Sequence, residues 1–311
     1  MLSTVRIAAI SILAACTCPA LAQDKSGETI VVRGTRIDPQ QARQQAIDFV
    51  KRTGVAHGQQ QVARWVVPVC IKVIGLTTPQ AARIENVMVD IAFEASVPVA
   101  KPGCQPNVTV SFAPDAGEVV RYIHARKPRQ FDELPKTDRD NLLNGAAPVR
   151  WWYATQMLDR DGVNSNNISS PWITAGEGAN PTYLSLPGDS VTATQQYNSG
   201  SNVRTPTVRS LYGATVVVDA PKVSSAPLDA VAAYAAMVAF AEMNANDPPP
   251  DSILGLFKPE SIETSLTDWD LAFLKSLYRM PLDRRSRIQR GHLVEALLDE
   301  RLPSKVSAKK P

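Results

Sequence analysis

Four stretches of the chain place apolar residues three or four positions apart, which is the spacing of one face of an α-helix. They are residues 38–53, 78–92, 267–278 and 284–302. Asp38 and Thr78 are the expected caps of the first two, and Thr267 with Asp270 forms a capping box for the third. A fifth stretch, residues 228–243, is alanine-rich and apolar throughout, so we expect a helix that is buried on all sides.

Runs of β-branched and aromatic residues between these helices predict strands. They are residues 28–33, 62–74, 107–112, 149–155 and 213–220, and a further short helix is expected over residues 118–125. Pro68 interrupts the second run, which indicates an edge strand or a bulge. Predicted strands and helices alternate up to residue 126, and the last predicted elements of the chain are helices. We therefore predict an α+β fold, a mixed sheet with packed helices and a helical C-terminal subdomain.

Changes in composition divide the chain into five segments. We predict a signal peptide over residues 1–22, an α/β part over 23–147, a segment of strands and loops over 148–225, a helical part over 226–303 and a basic tail over 304–311. The polar stretch 161–208 is too long for an ordinary connection between elements. It is therefore either a functional loop or a set of surface hairpins.

The start of the chain has the pattern of a bacterial secretion signal. A basic start precedes an apolar run over residues 7–15, and Ala20-Leu21-Ala22 supplies a small-residue cleavage site. The run is shorter than the roughly 20 residues that span a membrane. A lipobox ending at Cys16 fits as well, so cleavage is expected after Ala22 or before a lipidated Cys16. The mature protein is expected in the periplasm, secreted, or on the outer membrane as a lipoprotein, with no transmembrane segment.

Export decides how the cysteines are interpreted. The chain has 4 cysteines, and Cys16 and Cys18 lie in or beside the signal. Cys70 and Cys104 remain as a pair in an oxidising compartment, so we predict a structural disulfide between them. A redox role would need a close CxxC pair, and the sequence lacks one.

Composition and motifs exclude several classes of function. The net charge of +3 is too small to indicate nucleic-acid binding. The 3 histidines are not at metal-ligand spacing, and HExxH, GxSxG, P-loop and GxGxxG motifs are all missing. We therefore expect no metal and no other cofactor, and no catalytic residue can be named.

Three adjacent aromatic residues, Trp151, Trp152 and Tyr153, lie on a predicted strand. Successive side chains of a strand point to opposite faces. One tryptophan can then be buried while its neighbour is exposed in a groove for a peptide or a glycan, although plain packing is the favoured explanation of these residues. They are the candidate binding surface.

The C-terminal third has an order that resembles a known family. A buried helix is followed by a proline-rich break, by Asp-Ser-Ile-Leu, and by Leu-Thr-Asp-Trp-Asp-Leu-Ala-Phe-Leu-Lys-Ser-Leu-Tyr at residues 266–278. This is similar to a family of secreted Gram-negative bacterial proteins that resemble zincin (metzincin-like) metallopeptidases. The resemblance implies a zincin-like architecture. It places Tyr234 and Val238 at the two metal-binding histidines, Ala235 at the general-base glutamate and Leu254 near the methionine of the turn. None of these side chains can bind zinc or activate water, so the resemblance argues against activity.

The sequence therefore favours an exported, non-catalytic binding or scaffold protein of the cell envelope. Its expected partner is an unidentified envelope protein or peptide. Two alternatives stay open. One is a periplasmic hydrolase, a peptidase with an unconventional site, and the other is a lipid-anchored accessory subunit of an envelope complex.

Overall fold

The computed structural model describes residues 38–55, 60–159, 204–244, 247–259 and 261–302. The predicted signal peptide, both cleavage alternatives, the strand at residues 28–33 and the basic tail lie outside the described residues. The compact unit that holds the described residues begins at Asp38. Within these ranges, no helix is long and apolar enough to cross a membrane.

A five-stranded mixed sheet forms the centre of the fold. Its strands are β1 (Arg64–Trp65), β2 (Ile71–Ile74), β3 (Val108–Ala113), β4 (Val149–Asp159) and β5 (Thr207–Asp219). On one side of β5, β1 and β3 pair with it in parallel along successive parts of its length. On its other side β4 pairs antiparallel, and beyond β3 the strand β2 pairs in parallel. In the described sheet, β2 and β4 are therefore edge strands, and the two-residue β1 also pairs with one strand alone, β5.

Helices cover both faces of this sheet. They are α1 (Pro39–Arg52), α2 (Thr78–Glu94), α3 (Ala116–Arg126), α4 (Lys136–Asn144), α5 (Ala220–Val223), α6 (Leu228–Phe240), α7 (Asp268–Arg279) and α8 (Ser286–Arg301). Two 3-10 turns, Pro128–Phe131 and Ile253–Gly255, join some of them. The combination of a largely parallel sheet with several helices is a mixed α/β fold, consistent with the predicted α+β class.

The sheet separates a large core from a small one. Side chains of α1, α2, α6, α7 and α8 share the large core with one face of the sheet. The small core lies on the opposite face, under α3, α4 and the first 3-10 turn. Val216 and Val218 of β5 face the large core, whereas Val217 between them faces the small one. This is the alternation that a strand imposes on its side chains.

The helix boundaries agree with the predicted caps, with two corrections. Asp38 accepts a hydrogen bond from the N–H of Gln40, and Thr267 caps α7. The cap of α2, however, is Thr77 and not Thr78, because the side chain of Gln80 accepts from the Thr77 N–H and extends the helix entry by one residue. The helix predicted over residues 228–243 ends at residue 240, since the chain beyond it is extended.

A disulfide joins Cys70 to Cys104, whose Cα atoms are 6.0 Å apart. This confirms the predicted pairing. Cys70 directly precedes β2 and Cys104 lies in the loop before β3, so the bond ties together the starts of two neighbouring parallel strands. Asn107 reinforces this link, because its side chain accepts from the Cys70 N–H and donates to the Pro68 carbonyl.

Candidate functional site at the edge of β4

A cavity of about 430 Å³ lies along the free edge of β4. One wall is the stretch of residues 133–142, which runs from the first 3-10 turn into α4. The opposite wall is formed by residues 242–244, directly after α6, and by Gly54 after α1. The volume is within the range of small-ligand sites in proteins.

The pairing of β4 with β5 determines which main-chain groups face this cavity. The Pro148 carbonyl accepts from the Asp219 N–H at 2.8 Å, so these two residues form a hydrogen-bonded pair. Such pairs alternate with non-bonded ones along an antiparallel ladder. In the observed register, the N–H and C=O groups of Val149, Trp151 and Tyr153 therefore point away from β5. All three residues line the cavity. In the part of the chain that the structure describes, these outward groups have no hydrogen-bond partner.

Trp151 and Tyr153 hold the wall that follows α6. The Tyr153 hydroxyl lies 2.7 Å from the Val238 carbonyl and accepts from the Met243 N–H at 3.2 Å. The Trp151 Nε1 donates to the Met243 carbonyl at 3.1 Å. Burial raises the pKa of Tyr153 well above its ordinary value, so its hydroxyl stays protonated and available for these bonds. Both aromatic side chains thus position the cavity wall.

Trp152, the third residue of the candidate binding surface, lies on the other face of the sheet. It is buried in the small core, with its ring 5.0 Å from that of Phe131. The structure therefore brings Trp151 and Tyr153 to the cavity and leaves Trp152 in a packing role.

A glycine allows the close approach between the wall after α6 and the end of α1. Gly54 has a positive φ of 68°, and a Cβ atom at this position would lie 2.5 Å from the Asn244 carbonyl oxygen. The Asn244 N–H donates to the Thr53 carbonyl at 3.0 Å. A larger residue at position 54 would displace the wall, because both the backbone conformation and the space favour glycine.

An ionic network links the two walls. Arg209 of β5 forms ion pairs with Glu242 on one wall and with Glu133 on the other, the latter at 3.2 Å. Thr155 also donates to Glu133, at 2.6 Å. Burial raises the pKa of the Glu242 carboxyl, and Arg209 partly opposes this shift. The carboxylate of Glu242 is therefore poorly solvated in the cavity.

A second contact joins the two walls, and its donor is a neutral amide. The side-chain amide of Asn244 donates to Oδ2 of Asp138 at 2.7 Å. Together with Arg209, this bond fixes the distance between the wall of α4 and the wall after α6. The width of the cavity is thus set by side-chain contacts from three separate parts of the chain: residues 133–138, Arg209, and residues 242–244.

The residues that the zincin resemblance identified lie on α6, which does not line the cavity. Tyr234, Ala235 and Val238 are buried, and the Tyr234 ring packs against Trp151 and Phe257 at 6.1 and 5.1 Å. Leu254 is buried in the second 3-10 turn. Across the described ranges, no group of three or more His, Cys, Asp or Glu residues could hold a metal ion.

Sequence reasoning missed the polar residues of the site. Glu133, Asp138, Arg209, Glu242 and Asn244 come from separate elements, and no spacing in the sequence relates them. Only the aromatic run at residues 151–153 gave a signal that points to this place.

Comparison of the chain with protein-family models finds no match, and comparisons with curated proteins and with solved structures find no significant match.

Proposed function

We propose that this protein is a non-catalytic binding protein of the cell envelope that holds an extended segment of polypeptide beside β4. The observation that carries the proposal is that the outward main-chain groups of Val149, Trp151 and Tyr153, which line the cavity, have no partner among the residues that the structure describes. An extended peptide presents donors and acceptors with the same repeat, and proteins bind such segments by adding a strand to a sheet edge.

The dimensions of the site agree with one added strand. Neighbouring strands lie about 4.8 Å apart, and residues 149–153 extend over roughly 14 Å at about 3.4 Å per residue. A peptide of about five residues covers this length. The walls on either side are tied to each other by Arg209 and by the bond between Asn244 and Asp138, so the site is bounded on both sides of β4.

Location in the envelope is supported by two features of the sequence. The pattern of residues 1–22 is that of a secretion signal, and Cys70 and Cys104 form a disulfide, which is typical of oxidising compartments. A zincin-like relationship is supported by the order of a buried helix, a turn and a capped helix, here α6, the turn with Leu254, and α7. The positions that would hold zinc carry Tyr234 and Val238, which favours binding over hydrolysis.

A hydrolase remains the second candidate because of one observation. Glu242 is a cavity carboxyl with a raised pKa, and Glu133 adds to the rise. Such a group can act as a general acid. Incubation of peptides with the protein, followed by mass spectrometry, distinguishes the two functions. Intact peptides after binding support a binding protein, and cleavage that Glu242→Gln abolishes would establish the hydrolase.

The strand-pairing proposal is tested with N-methylated peptides. A fluorescein-labelled pentapeptide of alternating valine and threonine is prepared unmodified, methylated at the second and fourth amide nitrogens, or methylated at the first, third and fifth. In an extended peptide only one of these two sets of N–H groups faces β4. We therefore expect one methylation pattern to abolish binding in fluorescence anisotropy and the other to preserve it. Equal affinity for both patterns would contradict strand pairing, and no binding by any peptide would contradict the proposed function.

A further inference from the structure

The cavity beside β4 has three carboxylates that are only half engaged. Glu133 and Glu242 each use Oε2 to bind Arg209, and Asp138 uses Oδ2 to accept from Asn244. The second oxygen of each group, Oε1 of Glu133, Oε1 of Glu242 and Oδ1 of Asp138, has no hydrogen-bond partner within the described ranges. These carboxylates therefore retain acceptor capacity in the cavity.

The positive charge nearby does not balance them. Arg209 is a single cation shared by two carboxylates, and Asp138 forms no ion pair with the described residues. Arg150 lines the cavity and extends toward Gly117 of α3, where its Nη2 donates to the Gly145 carbonyl, while its buried Nε and Nη1 have no hydrogen-bond partner among the described residues. Two guanidinium groups, those of Arg150 and Arg209, therefore stand against three carboxylates, and the cavity keeps an excess of one negative charge.

The aromatic wall suits the stem of a long cationic side chain. Trp151 and Tyr153 are half-buried and line the same cavity as the three carboxylates. Lysine and arginine place their methylene groups along apolar surfaces while the charged end reaches polar groups. A cation near an aromatic face gains further stabilisation.

We propose that the extended segment bound beside β4 carries a lysine or arginine side chain, which is recognised by the carboxylates of Glu133, Asp138 and Glu242. This inference rests on the proposed function, because it assigns one side chain of the same bound peptide. It does not depend on the carboxylates alone. The cavity and the outward groups of β4, which have no partner in the described ranges, indicate a peptide independently, and the excess negative charge then selects the side chain.

The experiment changes the ligand first, because a change in the peptide cannot unfold the protein. One lysine is placed in turn at each position of the valine–threonine pentapeptide, and each peptide is compared with its norleucine counterpart, which has a similar length and no charge. We expect at least one position at which lysine binds on the order of tenfold more tightly than norleucine, because a hydrogen bond to a charged group adds this much. Glutamate at that position is expected to weaken binding.

Protein variants then assign the effect to the site. In Asp138→Asn and Glu242→Gln the preference for lysine over norleucine is expected to shrink severalfold. The readout is the ratio of the two affinities within each variant, so that a shift of the cavity walls that weakens both peptides alike does not count as a loss of preference. Asp140→Asn is the matched control, since Asp140 is exposed on the same helix as Asp138 and outside the cavity. It is expected to keep the full preference.

The outcomes separate the two proposals. If every lysine peptide binds within twofold of its norleucine counterpart, or if glutamate binds more tightly, basic specificity is overturned while peptide binding stands. An undiminished lysine preference in both variants would also overturn the assignment to these carboxylates. If neither lysine nor norleucine peptides bind, the proposed function itself fails.

Discussion

The edge strands β2 and β4 differ in what faces their outward main-chain groups. At the edge of β2, the strand is short, and the outward N–H of Val73 donates to Oε1 of Glu85 on α2 at 2.9 Å. Lys72 of β2 pairs with the same carboxylate. At the edge of β4, the outward groups of Val149, Trp151 and Tyr153 face a cavity. An unpaired edge is a template for pairing with another chain, and proteins usually block it.

The difference shows where a ligand can be received. One α2 side chain, that of Glu85, occupies the outward N–H of Val73 at the β2 edge. The walls beside β4 meet each other through Arg209 and through Asn244, and their side chains do not occupy the strand's outward groups. Among the described residues, a helix side chain therefore occupies an outward group of β2, whereas the outward groups of β4 have no partner. Changes at the two strands are expected to separate stability from binding.

The largest expected effect is at the β2 side. Replacing both Cys70 and Cys104 with serine removes a bond that closes a sequence separation of 34 residues. The chain-entropy model gives a loss of about 4 kcal/mol in the free energy of unfolding, measurable by urea denaturation. Under conditions in which the variant is folded, peptide affinity should equal that of the wild type. A parallel loss of affinity would show that the two edges are not independent.

The second-largest expected effect on stability is at the β4 side. Tyr153→Phe removes the hydroxyl that serves the Met243 N–H and the Val238 carbonyl, which leaves buried polar groups unpaired. We expect a loss of about 2 kcal/mol in the free energy of unfolding, and weaker peptide binding because the wall after α6 is no longer held. Tyr234→Phe is the control, since the Tyr234 hydroxyl has no hydrogen-bond partner among the described residues. Similar losses in both variants would contradict the role of Tyr153.

The smallest effect concerns the side chain that closes the β2 edge. Glu85→Ala frees the Val73 N–H and is expected to cost about 1 kcal/mol of unfolding free energy. Glu85→Gln keeps the accepting oxygen and should cost much less. Both variants should bind the peptide as the wild type does. An equal cost for the two would show that charge, and not the hydrogen bond to β2, is what Glu85 contributes.

Local features of the fold could be predicted because neighbouring residues decide them. Asp38 and Thr267 cap helices in the structure as the sequence indicated, since a cap depends on residues one turn away. The cap at Thr77 was displaced by one residue, because two threonines stand in succession and the contact with Gln80 selects the first. The helix α4 was not predicted, because it is mostly polar and only Leu142 is buried.

The site itself could be predicted only in part. The alternation of Trp151, Trp152 and Tyr153 indicated that they face opposite sides of a strand, and the structure shows this division. Arg209 and its partners Glu133 and Glu242 gave no signal, since they are separated by 76 and 33 positions along the chain. Contacts over such distances depend on strand pairing and on helix packing, which no local pattern encodes.

The sequence by itself determined the helices with strong caps, the strands with clear alternation and the pairing of Cys70 with Cys104. These follow from interactions within a few residues, or from the presence of two remaining cysteines in a chain that the sequence predicts to be exported. Only the tertiary structure decided that β4 is an edge strand and that its outward main-chain groups open into a cavity with three carboxylates. Strand order is set by how the hydrophobic faces of all elements are buried together, and the site lies where that arrangement leaves the outward groups of β4 without a partner among the described residues.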